Sequence, residues 1–333
     1  MPDFLTSKKM MLIFVGVAVI VVAVAVYFVL TSLAPTGQTS YVTFMPEVPD
    51  PPENVLEPER PPGRWDDAFL EENVFVPPNS RLTGLPVTEE AVNRRPLAVV
   101  INNIHRALPQ SGISSADIIY EVLSEGDVTR LVAIFQSYVP EKIGPVRSAR
   151  DYFVDFAFNH DAVFIHHGAS PSGYGRIRGQ RICVIDGMTW EGRVFWRDRT
   201  YPYWHHNSGT RPLEHSSFTG EYRLTPHLYA QQIRDYMAES QNYGFIFADN
   251  APVQSGGQAH TVSIPFSPNY TRTFIFDEEL NIYHVENRDG AHQDAINQEQ
   301  VTVSNILVQL TAKSLVPGDA DGRRNVQTIG QGR

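Results

Sequence analysis

The sequence predicts an α/β (α+β) domain built on a mixed sheet, followed by a smaller β-rich domain and preceded by a single N-terminal transmembrane helix. Three observations lead there. Residues Met10–Leu33 carry no charged side chain. Five short, continuous apolar runs between Leu97 and Ile185 are interleaved with helical sequence, the pattern of strands covered on both faces. Beyond Gly256-Gly257 the chain becomes a series of short strand-like runs separated by turn residues.

In chain order, residues 1–9 read as a cytoplasmic tail. The 24 residues Met10–Leu33 make a helix of about 36 Å, enough to cross a hydrocarbon core of about 30 Å with some tilt. Lys8 and Lys9 precede this segment, and the first basic residue beyond it is Arg60. The positive-inside rule then leaves the N-terminus in the cytoplasm and the body outside a cell membrane crossed once. A cleaved signal peptide ending at Ser32-Leu33-Ala34 competes with this signal-anchor reading, but its apolar region is unusually long and Pro35 follows the cleavage point. Both readings export the body. Eight of the 24 prolines fall between Ala34 and Arg64, mixed with acidic residues. Residues 34–66 therefore read as an extended, extracytoplasmic stalk.

The α/β domain is expected over 67–250. Its strands are Leu97–Ile101, Ile118–Val122, Leu131–Phe135, Ala162–Ile165 and Cys183–Ile185. A helix is expected from Val146 to Asn159, with Tyr152, Phe153 and Phe156 on its apolar face. A second is expected from Leu228 to about Glu239, with Pro226 near its first turn. The β-rich domain is expected over 251–333, with strands at Thr261–Ile264, Thr273–Phe276, Ile282–Val285, Val301–Leu310 and Asn325–Ile329.

A formal net charge of −10 excludes nucleic acid as a general partner, because phosphate binding needs a basic surface. The lone Cys183, inside an apolar run, excludes a disulfide framework and a cysteine metal site within one chain. His205, His206 and His215 lack any zinc-ligand spacing, so no metal and no cofactor is expected.

Between Thr129 and Arg223 the balance reverses to 12 Lys+Arg against nine Asp+Glu, with six of the 11 histidines, and a polar or anionic ligand is sought there. Gly144-Pro145-Val146-Arg147-Ser148-Ala149-Arg150 reads as a turn opening a helix, whose free N–H groups favour an anion. Arginines in a first turn oppose the helix dipole, so Arg147 and Arg150 need a negative charge, from Glu121 and Glu125 or from a ligand. Glu121, Glu125, Asp155 and Asp198 are candidate general acids or bases, with Asp186 beside them. Arg130, Arg147, Ser148 and Arg150 are candidate ligand contacts. So are His166 and Ser170 at the end of an apolar strand, only one of His166 and His167 being able to face a given site. No G-x-S-x-G elbow accompanies Ser170. Trp196, Arg197, His206 and Asn207 belong to an aromatic, polar loop suited to stacking on sugar rings or to capping the core.

These stretches together resemble the YerB family of bacterial envelope lipoproteins, whose domains are of unknown function. The resemblance covers roughly Asn79 to the C-terminus. It is carried by Leu82-Thr83-Gly84-Leu85-Pro86, Arg95-Pro96-Leu97-Ala98-Val99-Val100-Ile101-Asn102-Asn103, Pro109-Gln110-Ser111-Gly112 and Ala116-Asp117-Ile118-Ile119-Tyr120-Glu121, and further by Thr129-Arg130-Leu131, Ile143–Arg150, Phe195-Trp196-Arg197-Asp198 and His206-Asn207. It implies an extracytoplasmic protein with an N-terminal α/β domain and a smaller C-terminal β domain, and it lends no activity. The family's lipid-modified cysteine is missing here, and the resemblance implies an incomplete β-rich domain. The expected function is binding of cell-wall glycan or of a wall-synthesis enzyme. The alternative is a hydrolase or lyase acting on peptidoglycan or another envelope polysaccharide through a Glu general acid.

Overall fold

The computed structural model describes residues 77–202, 209–239, 241–247 and 259–328. The segment expected to cross the membrane, Met10–Leu33, and the proline-rich 34–66 lie outside them. Among the described residues no helix is long and apolar enough to cross a membrane. The longest, of ten residues, span about 15 Å, half of what a bilayer core requires. The fold class is corrected accordingly: the described residues form a mixed α/β part and a β-rich part, and no membrane-spanning helix is among them.

The described residues belong to one compact unit. It opens with α1 (Glu89–Asn93), capped by the Thr88 hydroxyl accepting from Ala91 N at 3.1 Å. Then follow β1 (Leu97–Asn102), β2 (Ile118–Leu123), β3 (Thr129–Phe135), α2 (Asp151–Asn159), β4 (Val163–His166), α3 (Pro171–Gln180), β5 (Val184–Asp186) and α4 (Gly187–Trp190). The strands form one sheet in the order β2-β3-β1-β4-β5. β1 pairs antiparallel with β3 and parallel with β4, and β4 is parallel to β5.

Every residue of β1 and β3 is buried, as continuous apolar runs require. One sheet face carries Ala98, Val100, Val132, Ile134 and Phe164 against Tyr152, Phe153 and Phe156 of α2. The other carries Leu97, Val99, Ile101, Leu131, Phe135 and Val163 against Phe195, Leu224 and Leu228. Each fully buried large side chain contributes about 1.5–3 kcal/mol relative to exposure, so the two apolar faces dominate the stability of this half.

The expected helix over Val146–Asn159 begins five residues late. Residues 144–150 run extended across the sheet, because their N–H groups are engaged sideways. Val146 N donates to Ser217 O at 2.6 Å, Arg147 N to Val100 O at 2.9 Å, and Ala149 N to Gly168 O at 2.9 Å. The helix that sequence patterning missed, α3, starts at Ser170, whose hydroxyl accepts from Gly173 N at 3.0 Å with Pro171 at the first turn.

The chain continues through β6 (Trp196–Arg197), β7 (Ser217–Phe218) and α5 (Glu221–Ala230). α5 lies earlier than the expected Leu228–Glu239, with Pro226 inside it. Its start is fixed by Leu224 N donating to Gly220 O and Glu221 N donating to Pro140 O, both at 3.0 Å. The second sheet comprises β8 (Thr261–Ser267), β9 (Tyr270–Asp277), β10 (Ile282–Asn287) and β11 (Gly290–Ala291) in the order β11-β10-β9-β8, with β12 (Thr302–Val303) pairing β10. β13 (Lys313–Leu315) and β14 (Arg324–Val326) make a separate hairpin. Of the run expected as a strand over Val301–Leu310, only β12 is paired. Val285 and Val301 enter the first sheet's core, so the two sheets share apolar contacts.

Candidate functional site

Asn102 ends β1, and His166 and His167 end β4 and the residue after it. These are the carboxyl ends of two adjacent parallel strands, at the place where the chain leaves β1 towards β2 and β3 on one side and reaches β4 and β5 on the other. The extended segment 144–150 crosses there, since Ile101 bridges Val146 and His167 N donates to Arg147 O at 3.1 Å.

The arginines of that segment fall into two groups. Arg150 is buried and gives its Nε and Nη2 to one oxygen of Glu125, at 3.0 and 2.6 Å. Arg130, also buried, gives Nη2 to the other oxygen and Nη1 to Ser148 O at 2.6 Å. Burial pushes Arg130 down to about 9, with Arg150 acting in the same direction. For Glu125, burial alone would raise the carboxyl, but Arg130, Arg150 and the Ser124 hydroxyl outweigh it and hold it down at about 2. Arg147 differs. It is half-buried, and among the described residues its guanidinium has neither a hydrogen bond nor an ion pair.

Around Arg147 stand Glu125, Arg150, His167, Arg197, Glu214 and His215, all close enough to interact with its charge or to be shifted by it. Each histidine is fixed in one tautomer by its partner. The His215 Nδ1 lies 2.8 Å from the Asn102 amide nitrogen, which can only donate, so His215 carries its proton on Nε2. His167 Nε2 accepts from Arg197 at 3.1 Å, so its Nδ1–H donates to Ser217 Oγ at 2.8 Å. Both rings are pushed below the usual histidine range, mainly by burial, with Arg197 acting on His167 and Arg147 on His215. Arg197 is engaged by Glu191 and by Leu213 O at 2.8 Å. The site thus offers a half-buried guanidinium with no hydrogen bond, its charge offset at longer range by Glu125 and Glu214, and the His215 Nε2–H, which lies 3.7 Å from Glu214 Oε1; both are donors suited to an oxyanion.

Apart from Ser148, the remaining predicted residues lie away from it or outside the described residues. Glu121 faces the second sheet and accepts from Arg272, Tyr270, Thr129 and Asn103 at 2.7–3.3 Å. Asp155 ties α2 to Arg176 of α3 at 2.6 Å. Asp198 pairs with Lys142 at 2.6 Å. Burial raises its carboxyl, but Lys142 and Thr200 prevail and hold it at about 2. His166 points to the α2 side. Its Nδ1 donates to Gly168 O at 2.9 Å and its buried Nε2 is without a partner. Ser170, expected as a ligand contact, is a buried helix cap. Ser148 is half-buried beside Arg147. Trp196 lies under the Arg223 guanidinium at 5.2 Å. His206 and Asn207 lie outside the described residues. Among the described residues no group of three or more His, Cys, Asp or Glu is placed to hold a metal ion. Two surface hollows, of about 520 Å³ beside Arg176 and about 260 Å³ beside Asp289, lie on other elements.

The sequence reading missed His167 and His215. For His167 a choice between adjacent strand residues was open and parity alone could not settle it. For His215 the deciding contact, to Asn102, spans 113 residues and leaves no local pattern.

The family described as "Protein of unknown function (DUF3048) N-terminal domain" matches residues 82–224, and its C-terminal counterpart matches residues 262–333. A candidate lipoprotein of Bacillus subtilis (strain 168), YerB, is 30% identical over 256 residues, 76% of this chain and 72% of that protein. The crystal structure of the Bacillus subtilis YerB protein is similar with a TM-score of 0.63 at 30% identity, covering 75% of this chain and 79% of that one.

Proposed function

The chain belongs to the YerB-like DUF3048 family of unknown function, and on that premise we propose that it is an envelope-associated, extracytoplasmic protein whose Arg147 crevice binds an anionic group of cell-wall glycan. The relationship to a candidate lipoprotein supports the location. The observation that carries the site is the unpaired, half-buried guanidinium of Arg147, beside two arginines whose charges Glu125 already meets. A half-buried guanidinium whose carboxylate neighbours, Glu125 and Glu214, act on it only at a distance keeps its hydrogen-bond donors open to an added anion. Ligands of α/β sheets sit outside the carboxyl ends of the strands, at the point where the strand order reverses, and Arg147 is there. This placement is an argument from fold analogy.

The hydrolase alternative needs a carboxyl that is protonated near neutral pH. Glu125 is held near 2, and Glu121 spends both oxygens on donors of the two sheets. A binding protein is therefore the better reading. The test is co-sedimentation of the full-length protein with purified peptidoglycan, with mass spectrometry of anything released. Arg147→Ala is expected to weaken retention at least about tenfold, the loss of one charge-assisted contact of about 1.5–3 kcal/mol. Undiminished retention, or fragments released by the wild type, would overturn the proposal.

A further inference from the structure

The outward side of α5 carries a row of exposed rings. Leu224 and Leu228 are buried against the first sheet, while Tyr222, Pro226 and Tyr229 occupy the opposite side at i, i+4 and i+7. Tyr222 is 70% exposed and Tyr229 85%. An apolar stripe of this spacing ordinarily marks a covered helix face, and here it faces solvent. Tyr138, 56% exposed, extends the row: its phenol is near enough to that of Tyr222 to interact with it electrostatically.

The row is rigidly mounted. The segment bearing Tyr138 and Glu141 is joined to the start of α5 by paired backbone bonds between Ile143 and Thr219, at 2.6 and 3.0 Å, and by Glu221 N donating to Pro140 O at 3.0 Å. The approach is so close that a Cβ on Gly220 would lie 1.9 Å from Glu141 O. The Tyr222 hydroxyl donates to Glu141 Oε1 at 3.1 Å, which sets the direction of that ring. The surface is held in place before any ligand arrives, and such preorganisation lowers the cost of binding.

We propose that this row is a platform for an extended, uncharged stretch of polysaccharide, separate from the Arg147 crevice. Tyr222 and Tyr229 stand seven residues apart, about 10.5 Å along the helix axis. That is roughly the length of one disaccharide in an extended β-linked chain, so the two rings meet alternate sugars through the same apolar pyranose face. Glu141 and Glu221 at the rim accept hydrogen bonds from sugar hydroxyls and repel an anionic partner. A folded protein is a poorer occupant. Three rings bury about 150–250 Å² each, a ridge one residue wide, against about 800 Å² per partner in a stable protein interface. The identity of the polymer rests on the envelope reading above, whereas the platform does not depend on Arg147.

The probe is chitohexaose, an uncharged β-linked hexamer of N-acetylglucosamine, titrated calorimetrically into the full-length protein. The wild type is expected to bind. Tyr222→Ala/Tyr229→Ala should bind at least tenfold more weakly, Tyr222→Phe/Tyr229→Phe, which keeps both rings but loses the bond that directs Tyr222, should bind more tightly than the alanine variant and less tightly than the wild type, and Arg147→Ala should be unaffected. All three residues are outside the core, and circular dichroism checks the fold of each variant. No binding by the wild type, or equal binding by the double alanine variant, overturns the platform. A change in sedimentation of the alanine variant would assign the row to a second copy of the chain and overturn it as well. Failure of the crevice reading shows separately, as unchanged peptidoglycan retention in Arg147→Ala with chitohexaose binding intact.

Discussion

Glu125 holds two guanidinium groups with one carboxylate, and both arginines are buried. Removing that carboxylate leaves two buried cations facing each other, so Glu125→Gln should destabilise the protein by about 3–5 kcal/mol, read as the shift of a urea unfolding transition. The pH dependence has a definite sign. The folded carboxyl titrates near 2, below its ordinary 4.5, so its stabilisation is complete above about 4.5 and disappears as the pH falls from there towards about 2. The stability gap between wild type and Glu125→Gln should narrow across that window; a constant gap would refute the ion-pair account. That Arg147 and Arg150 need counter-charge was legible in the sequence, with Glu121, Glu125 or a ligand as its source; Glu125 meets Arg150 together with Arg130, whose part was not foreseen, and Glu121 turns to Arg272. Which arginine goes unpaired was not legible. The expectation that helix-terminal N–H groups bind an anion failed for a physical reason: the amides of Val146, Arg147 and Ala149 donate to Ser217 O, Val100 O and Gly168 O.

Among the elements, strands were the easier to read. β1, β3 and β4 are continuous apolar runs because both faces of the sheet are covered, and that condition is written locally. Helix ends were not. α5 begins where it does because Gly220 lies against Glu141 O, a contact invisible in residues 221–230 themselves. Gly220 is extended at φ 171, a conformation any residue adopts, so its requirement is for space alone. Gly220→Ala should force the Ile143–Thr219 pairing apart, at a cost of about 3 kcal/mol or more. Differential scanning calorimetry would register the loss, and amide exchange should show it centred on 141–143 and 219–224. An unchanged melting temperature would show that the close approach carries no weight.

At the scale of the whole molecule, the division into an α/β part and a β-rich part was readable from the change of texture after Gly256-Gly257, but the joint between them was not. Glu121, read as a possible acid, is part of that joint. It accepts Arg272 Nε at 2.7 Å across 151 residues of sequence. Arg272 is 2% exposed and also gives Nη1 to His292 Nδ1 at 3.0 Å, whose Nε2–H in turn donates to Gln110 Oε1 at 2.7 Å. Asp294 completes the seam by accepting from Gly112 N and Ser114 N at 3.0 and 2.9 Å. Buried polar groups satisfied only across a seam make the two sheets conditional on each other. Arg272→Ala leaves the Glu121 charge unmatched and His292 short of a donor, at a cost of about 3–5 kcal/mol. The wild type should unfold in one transition, and the variant in two, with the second sheet opening first. Limited proteolysis should then cut within residues 259–328 while the first sheet stays protected. Converting Glu121 to Gln and Arg272 to Met together should recover part of the loss, because the double change removes both charges instead of stranding one. A single transition in Arg272→Ala, with the wild-type midpoint, would mean that shared apolar contacts such as Val285 and Val301 couple the sheets without help from the seam.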